Sequence, residues 1–481
     1  MRKPLAIVWF RNDLRLADNP ALSRAVKGGF EILPVYVHSP EDEGQWFAGA
    51  ASRWWLHHSL VALEQSLKDT GHRLVLRKGR AGIELMRIIQ ETSATTIFFN
   101  HRYEPWAREQ ENNVASALSK TGITIFGFDS SLLFPPTQIT SSDGSPYKVF
   151  TPFWRKLLSI PEVNHPIATP HLPPAHPPHL SSINLNALEL LPTFDWAAGL
   201  RASWQPGENA ATRRLKSFLK SCLSDYQDSR DRPDLDGVSR LSPYLHFGEI
   251  SPLTVWHSVK QHAQNKPGLD ASCKSYLKEL VWREFAYHLL YHFPKTTDVP
   301  MRAEFDRFPW SSKASFLKAW QAGNTGYPIV DAGIRQLWNT GWMHNRVRMI
   351  VASFLVKDLL VSWQDGAKWF WDTLVDADLA NNTLGWQWSA GCGADAAPYF
   401  RIFNPVLQGK KFDPSGDYVR RWVPELAGLP AKWMHCPWMA PQVELARAGI
   451  KLGGSYPLPL VDHSEARLRA LIAFETIKRA R

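Results

Sequence analysis

Through the first 130 residues, short apolar runs rich in β-branched and aromatic side chains alternate with stretches whose apolar residues recur every three or four positions. The runs 5–10, 32–38, 74–77, 96–100 and 123–128 predict strands, and stretches such as 50–68 predict helices between them. This alternation predicts an α/β fold: an open, parallel, Rossmann-like sheet covered by helices on both faces. Asp18-Asn19-Pro20 opens the first helix with capping residues ahead of a proline in its first turn. Residues 131–199 predict an interdomain linker, because seven prolines between positions 161 and 178 disfavour regular structure. From about residue 203 the spacing is helical almost to the end, so 200–481 predicts a large all-α domain. No internal repeat is evident.

Composition narrows the class. With 44% hydrophobic and 21% charged residues the chain is globular, and 481 residues allow two or three domains. The net charge of 55 − 45 = +10 predicts a basic surface and a polyanionic partner. Four cysteines (Cys222, Cys273, Cys392, Cys436) form no C-x-x-C pair and no zinc spacing, which predicts reduced thiols and a cytoplasmic protein. The apolar run at the start is too short for a secretion signal. Other apolar stretches are cut by charge before the roughly 18 residues a membrane span needs. Asn381-Asn-Thr383 therefore matches a glycosylation pattern by chance.

The chemistry-bearing residues concentrate in the helical part, which holds 15 of the 22 tryptophans. The segment Asp376-Ala-Asp-Leu-Ala-Asn-Asn-Thr-Leu-Gly-Trp-Gln-Trp388 combines carboxylates, amides and indoles, a set suited to a planar, polar, redox-active ring. Asp376 and Asp378 would repel each other unless a cation or ring N–H sits between them, and Arg348 is a candidate partner. No third carboxylate or His stands at ligand spacing, so no metal is expected. In Gly237-Val-Ser-Arg-Leu-Ser-Pro-Tyr-Leu245, small hydroxyl residues and backbone amides precede a helix, an arrangement that suits phosphate. Helical spacing puts Glu279, Trp282 and Arg283 on one face, and likewise Asn345, Arg346 and Met349, with Arg348 flanking. No G-x-G-x-x-G follows the first strand; Gly391-Cys-Gly-Ala-Asp-Ala396 mimics one without a preceding strand.

Four further strings identify a resemblance. Val8-Trp-Phe-Arg-Asn-Asp-Leu-Arg15 with Asp18-Asn19, Gly326-Tyr-Pro-Ile-Val-Asp331, Trp342-Met-His-Asn-Arg346 and Asp395-Ala-Ala-Pro-Tyr-Phe-Arg-Ile-Phe-Asn-Pro405 resemble the DNA photolyase/cryptochrome family, over essentially the whole chain. The resemblance implies an antenna-binding α/β domain over 1–130, the linker, and a helical FAD-binding catalytic domain over 200–481. It implies that Tyr226, Val238, Ser239, Arg240, Leu241 and Ser242 hold the FAD phosphates. Val238 stands where relatives often carry Thr, which removes one hydroxyl. Arg348 and Asp376 would pair over the flavin ring, with Ala377, Asp378 and Asn345 in the same cofactor set and Asn382 facing N5. Trp386, Trp363 and Trp310 would form an electron-hopping chain, and Trp342 could offer a branch.

The implied activity is light-dependent splitting of cyclobutane pyrimidine dimers in DNA by an electron from excited, reduced FAD. Poor stacking makes such a dimer cheaper to flip out than a normal pair. Trp282 and Trp388 would pack on its rings. Glu279 would hydrogen-bond its carbonyls, with Met349 and Asn382 completing the catalytic set and Asn345 also touching the lesion. Arg230, Arg283, Arg346 and Arg401 would anchor phosphates. Relatives that repair (6-4) photoproducts usually show His where this chain has Asn345 and Met349, which argues against that substrate. The rival reading is a cryptochrome photoreceptor. The Asp376–Trp388 segment is closer to class III bacterial photolyases. An antenna pigment, methenyltetrahydrofolate with a deazaflavin as alternative, is expected near Arg11, His38 and the stretch Asn100-His-Arg-Tyr-Glu-Pro-Trp106, where Trp106 could stack on a pterin and Glu104 bond it. The protein is expected to act as a monomer.

Overall fold

The computed structural model describes residues 3–119, 121–160, 163–174, 180–399 and 401–479. Part of the expected linker (161–162 and 175–179) and Phe400 of the last family string lie outside the described residues. The chain divides into two compact units, one of residues up to Ser224 with Ser239–Pro294 and Val375–Ala380, the other of Asp225–Val238, Lys295–Leu374 and Asn381–Arg481.

The first unit is built on a five-stranded sheet of β1 (Leu5–Phe10), β2 (Glu31–His38), β3 (Val75–Lys78), β4 (Thr96–Asn100) and β5 (Thr124–Phe128). All pairings are parallel, in the order β3-β2-β1-β4-β5. The five runs expected from periodicity match these strands with ends displaced by at most one residue. Ile7, Trp9, Leu33, Val35, Ile97 and Phe99 bury one face of the sheet against Leu85, Ile88 and Val114 of the covering helices. Asn19 caps the helix Pro20–Lys27 by accepting from the Leu22 amide at 3.1 Å.

The family's opening string proves to be an anchor. Beyond the end of β1, Asn12 Nδ2 donates to the His246 carbonyl (3.2 Å), the Leu14 amide to that of Phe247 (3.1 Å), and Arg15 Nη1 to that of Gly248 (2.9 Å). The chain at Gly248 takes φ +63°, and a Cβ there would lie 2.1 Å from the Asn12 carbonyl oxygen. The long helix Asp270–His292 belongs to this unit too. Against it packs a helix, Phe150–Leu158, that lies inside the stretch expected to be linker, with Phe153 5.2 Å from Phe285.

The second unit is helical. Its string Gly326–Asp331 is also scaffold: buried Asp331 accepts from the Thr325 amide and hydroxyl (both 2.7 Å), the Gly326 amide (3.1 Å) and the Tyr456 hydroxyl (2.7 Å). No helix among the described residues is long and apolar enough to cross a membrane.

Gly248→Ala is expected to destabilise the protein by roughly 2–5 kcal/mol, from left-handed strain plus overlap with the neighbouring backbone. Gly144 has φ +81° with no atom within 4 Å of a Cβ, so Gly144→Ala reads strain alone. Denaturation midpoints of the two variants separate the contributions; equal losses would mean the close approach at Gly248 is relaxed at little cost.

Candidate functional site

In the sheet-bearing unit the clearest chemistry surrounds Asp378. It lies just ahead of the helix Leu379–Ala390 and is buried, as are Asp376 and Ala377. Tyr287, on the helix Asp270–His292, donates its hydroxyl to Asp378 Oδ2 at 2.5 Å, and His246 Nδ1 lies 3.2 Å from the same oxygen. Burial alone would raise the carboxyl's pKa. The His246 bond and charge, the Arg283 cation and the Tyr287 hydroxyl outweigh it and hold Asp378 well below the usual carboxylate range.

That geometry corrects one expectation. Arg283 is not a surface anchor for phosphate: it is 8% exposed, donates Nη1 to the Ser131 carbonyl at 2.6 Å, and places its guanidinium 4.9 Å from the Tyr287 ring centroid. The helical period puts Arg283 and Tyr287 one turn apart on the inward face, so the charge serves the interior. Glu279 and Trp282 remain half-buried on the same helix. Phe150 props the Trp282 indole from one side, with ring centroids 3.6 Å apart and planes 7° from parallel.

The loop before the short helix Ser242–His246 is held from two sides. Arg214 Nε donates to the Ser239 carbonyl (2.8 Å) and the Tyr276 hydroxyl to Ser239 Oγ (3.1 Å), while Arg240 sits at φ +51°. Leu241 is buried and Ser242 exposed.

At the carboxyl end of β2, burial and the cations Lys78 and Arg53 push the pKa of His38 down to about 4, so its ring is neutral. Near β4, Glu104 pairs with Arg102 at 2.7 Å, and the same guanidinium stacks 4.5 Å from the Trp106 ring centroid. Burial would raise the Glu104 pKa, but the Arg102 pair pulls it below the ordinary value. Both residues of the expected pterin contact thus share one neighbour: Arg102 takes the Glu104 carboxylate and lies over one face of the Trp106 indole. Sequence reasoning placed Arg102 inside the antenna stretch without a role of its own and left out its neighbour Glu43, whose carboxyl is pushed up to about 7 by burial. Arg11 is buried against Glu111 (2.6 Å).

In the helical unit, Tyr226 is buried at the start of the helix Tyr226–Ser229, with Arg230 5.7 Å from its ring centroid. Asn345, exposed, opens the helix Asn345–Ser353, and half-buried Met349 lies one turn on. Arg346 pairs with Asp231 at 2.7 Å and stacks 4.4 Å from the Phe412 centroid; Arg348 donates Nε to the Met343 carbonyl at 2.8 Å. Asn382 donates to the Ala367 carbonyl at 3.0 Å, Val238 and Trp388 are half-buried, and Arg401 is exposed.

The tryptophans of this unit differ in burial. Trp386 and Trp363 are fully buried, and Trp310 is half-buried beside Phe308, 4.4 Å between centroids. Trp386 meets Phe370 edge-on at 4.9 Å and Trp320 at 6.2 Å. Trp320 escaped sequence reasoning, because only tertiary packing marks it. Among the described residues no group of three or more His, Cys, Asp or Glu could hold a metal ion.

Comparison with known proteins gives this arrangement a family. The family model for DNA photolyase matches residues 6–175, and that for the FAD binding domain of DNA photolyase matches 276–476. A deoxyribodipyrimidine photo-lyase of Agrobacterium fabrum is 48% identical over 98% of both chains. The chain belongs to the DNA photolyase/cryptochrome family. Cryptochrome-1 of Arabidopsis thaliana is 40% identical over 96% of this chain and 69% of its own length. The crystal structure of a bacterial class III photolyase from Agrobacterium tumefaciens superposes with a TM-score of 0.96 at 48% identity, covering 100% of this chain and 98% of that one. Within this family fold, two of the strings that carried the resemblance, those at 8–15 and 326–331, build scaffold.

Gly366 tests how tightly Trp386 is seated. A Cβ there would lie 2.1 Å from the indole's Cη2. Inside a helix, Gly→Ala ordinarily gains about 1 kcal/mol. Overlap with a buried ring costs roughly 1–3 kcal/mol and should prevail. Gly366→Ala is therefore expected to lower the denaturation midpoint and alter the near-UV circular dichroism of the indoles; a stabilised variant would show that Trp386 can shift freely.

Proposed function

We propose that the protein is a deoxyribodipyrimidine photo-lyase that uses light and FAD to split cyclobutane pyrimidine dimers in DNA. The observation that carries the reading is the run from Asp376 to Trp388. It sets two buried carboxylates, one held as an anion, beside an amide and a buried indole within thirteen residues. The residues fit FAD on their own chemistry. The Ser239 hydroxyl and the amides of Ser239, Arg240, Leu241 and Ser242 suit phosphate, with Val238 next to them in sequence and Tyr226 in the same expected set. Asp376, Asp378 and Asn382 suit the polar edge of the ring, with Ala377, Asn345 and Arg348 in the same set. Trp386 Nε1 is buried with no hydrogen-bond partner among the described residues, as a group awaiting an acceptor would be.

Held by these residues, reduced FAD would supply light-driven one-electron chemistry with no net redox change. The chain's own residues bind and orient. Trp282, held by Phe150, and Trp388 would stack on the flipped bases. Glu279 would hydrogen-bond the dimer's carbonyls, and Asn345 and Met349 would also act on the lesion. Arg230, Arg346 and Arg401 are the remaining phosphate anchors, and the net charge of +10 adds salt-dependent attraction to DNA. Trp386, Trp363 and Trp310 would carry electrons inward to reduce the cofactor. Methenyltetrahydrofolate is the antenna this reading favours, now with Arg102 interposed at Glu104 and Trp106, in a class III enzyme acting as a monomer. The 40% identity to Arabidopsis cryptochrome-1 keeps a photoreceptor reading as the rival.

Illuminating the reduced, FAD-loaded protein with dimer-containing oligonucleotides should restore thymine absorbance; no recovery with normal photoreduction would sink repair and favour the photoreceptor. Trp388→Ala should weaken dimer binding roughly 5- to 100-fold, the value of one base–aromatic stack, while sparing photoreduction. Trp363→Phe should do the reverse, and intact photoreduction in that variant would break the three-tryptophan route.

A further inference from the structure

Two side chains from separate segments spend their polar atoms on a single oxygen of Asp378. Tyr287 and Asp378 are both buried, and the phenol reaches Oδ2 at 2.5 Å. His246 Nδ1 approaches the same oxygen at 3.2 Å. Two donors converging on one carboxylate oxygen fix the group's rotation as well as its charge. Each donor is itself held. The His246 carbonyl accepts from Asn12 and the neighbouring Phe247 carbonyl from Leu14, which locks the backbone that presents the imidazole. The Tyr287 ring lies against the Arg283 guanidinium, and that cation is tied to the Ser131 carbonyl. Burial and the Asp378 charge push the Tyr287 phenol far above its ordinary ionisation range, so it stays a donor at any working pH.

We infer that Tyr287 and His246 are positioning residues that hold Asp378 as a fixed anion and thereby set the reduction potential of the flavin. The inference rests on the FAD reading proposed above. A fixed negative charge close to the ring, where little water screens it, opposes addition of electrons. If a donor is removed, the carboxylate can take a proton or rotate away. The opposing field then weakens, and reduction becomes easier.

Midpoint potentials of the bound flavin, measured by dye-coupled titration, test this without reference to repair. Tyr287→Phe keeps the ring and deletes the donor. It should shift the reduced-to-oxidised ratio at a fixed poise by about tenfold, or about 30 mV positive for a two-electron couple. His246→Leu should shift it in the same direction, and His246→Asn, which returns an N–H near the Nδ1 position, should restore most of the wild-type value. Asp378→Asn removes the charge, so in that background Tyr287→Phe should have no further effect. A purely structural tyrosine would shift the potential equally in both backgrounds, which overturns the inference, as does an unchanged potential in flavin-loaded Tyr287→Phe. If Tyr287→Phe does not fold, the His246 pair decides alone. Wild-type protein that binds no FAD, on purification or on addition, defeats the underlying FAD reading instead.

Discussion

The close approach of two backbones at Gly248 is the constraint on which the arrangement of the sheet-bearing unit turns. A carbonyl at Asn12 lies where any Cβ would stand, so residues 246–248 seat directly on the loop that follows β1. Three hydrogen bonds from Asn12, Leu14 and Arg15 then hold consecutive carbonyls, as a strand partner would. Short loops that end a parallel sheet carry function because the sheet fixes their exit points. Here the loop carries a second segment, and that segment delivers His246 to Asp378. Register in the sheet is thus transmitted to a carboxylate far along the chain.

Burying so many charged groups is expensive, and the molecule meets the cost by leaving few of them alone. Arg15, fully buried, donates to the carbonyls of Asp18 and Gly248 and to the Ser130 hydroxyl. Glu249 accepts from Trp55 (3.2 Å), Ser59 (2.5 Å) and the Gly207 amide (2.6 Å). An ion removed from water must recover its hydration from fixed donors, or it neutralises. Asp378 recovers enough to stay ionised. Glu43, with the Ala48 amide and an Arg102 cation that also serves Glu104, recovers less, and burial prevails. Nearby positive charge divides these carboxylates as much as donor supply does: Glu249, with three donors, is still pushed up to about 8 by burial, whereas Asp378 has His246 and Arg283 beside it.

This explains which parts were legible in the amino-acid sequence. Strand positions were, because the inner strands of a parallel sheet, buried on both faces, write near-continuous apolar runs, and the ends were missed by at most one residue. The cap at Asn19 was, because its mechanism is local. The face of Arg283 was misread: helical spacing groups residues but does not say which group points inward, and the partner that decides it, Ser131, is 152 positions away. Arg102, inside the stretch expected to hold the antenna, was given no role of its own for the same kind of reason. Its contacts with Glu104 and Trp106 are local, yet nothing in the sequence says that both are sheltered enough to need a cation. The helix Phe150–Leu158, with Pro152 in its own first turn, hid inside a stretch whose prolines cluster most densely after it.

The abundance of tryptophan resolves by the same physics of burial. Trp9, Trp55, Trp256 and Trp320 are nearly inaccessible and fill volume, with Trp55 also spending its N–H on Glu249. Trp338 is 64% exposed and stacks at 5.7 Å, almost parallel, on Trp369, where area burial contributes least. The trio Trp386, Trp363 and Trp310 differs in kind, because its burial falls from fully enclosed to half-exposed. A positive charge on an enclosed indole has few dipoles to stabilise it, whereas on a half-exposed one it is solvated by water. In the electron route proposed above, a positive charge that reached half-buried Trp310 would therefore be held there in preference to the two enclosed indoles.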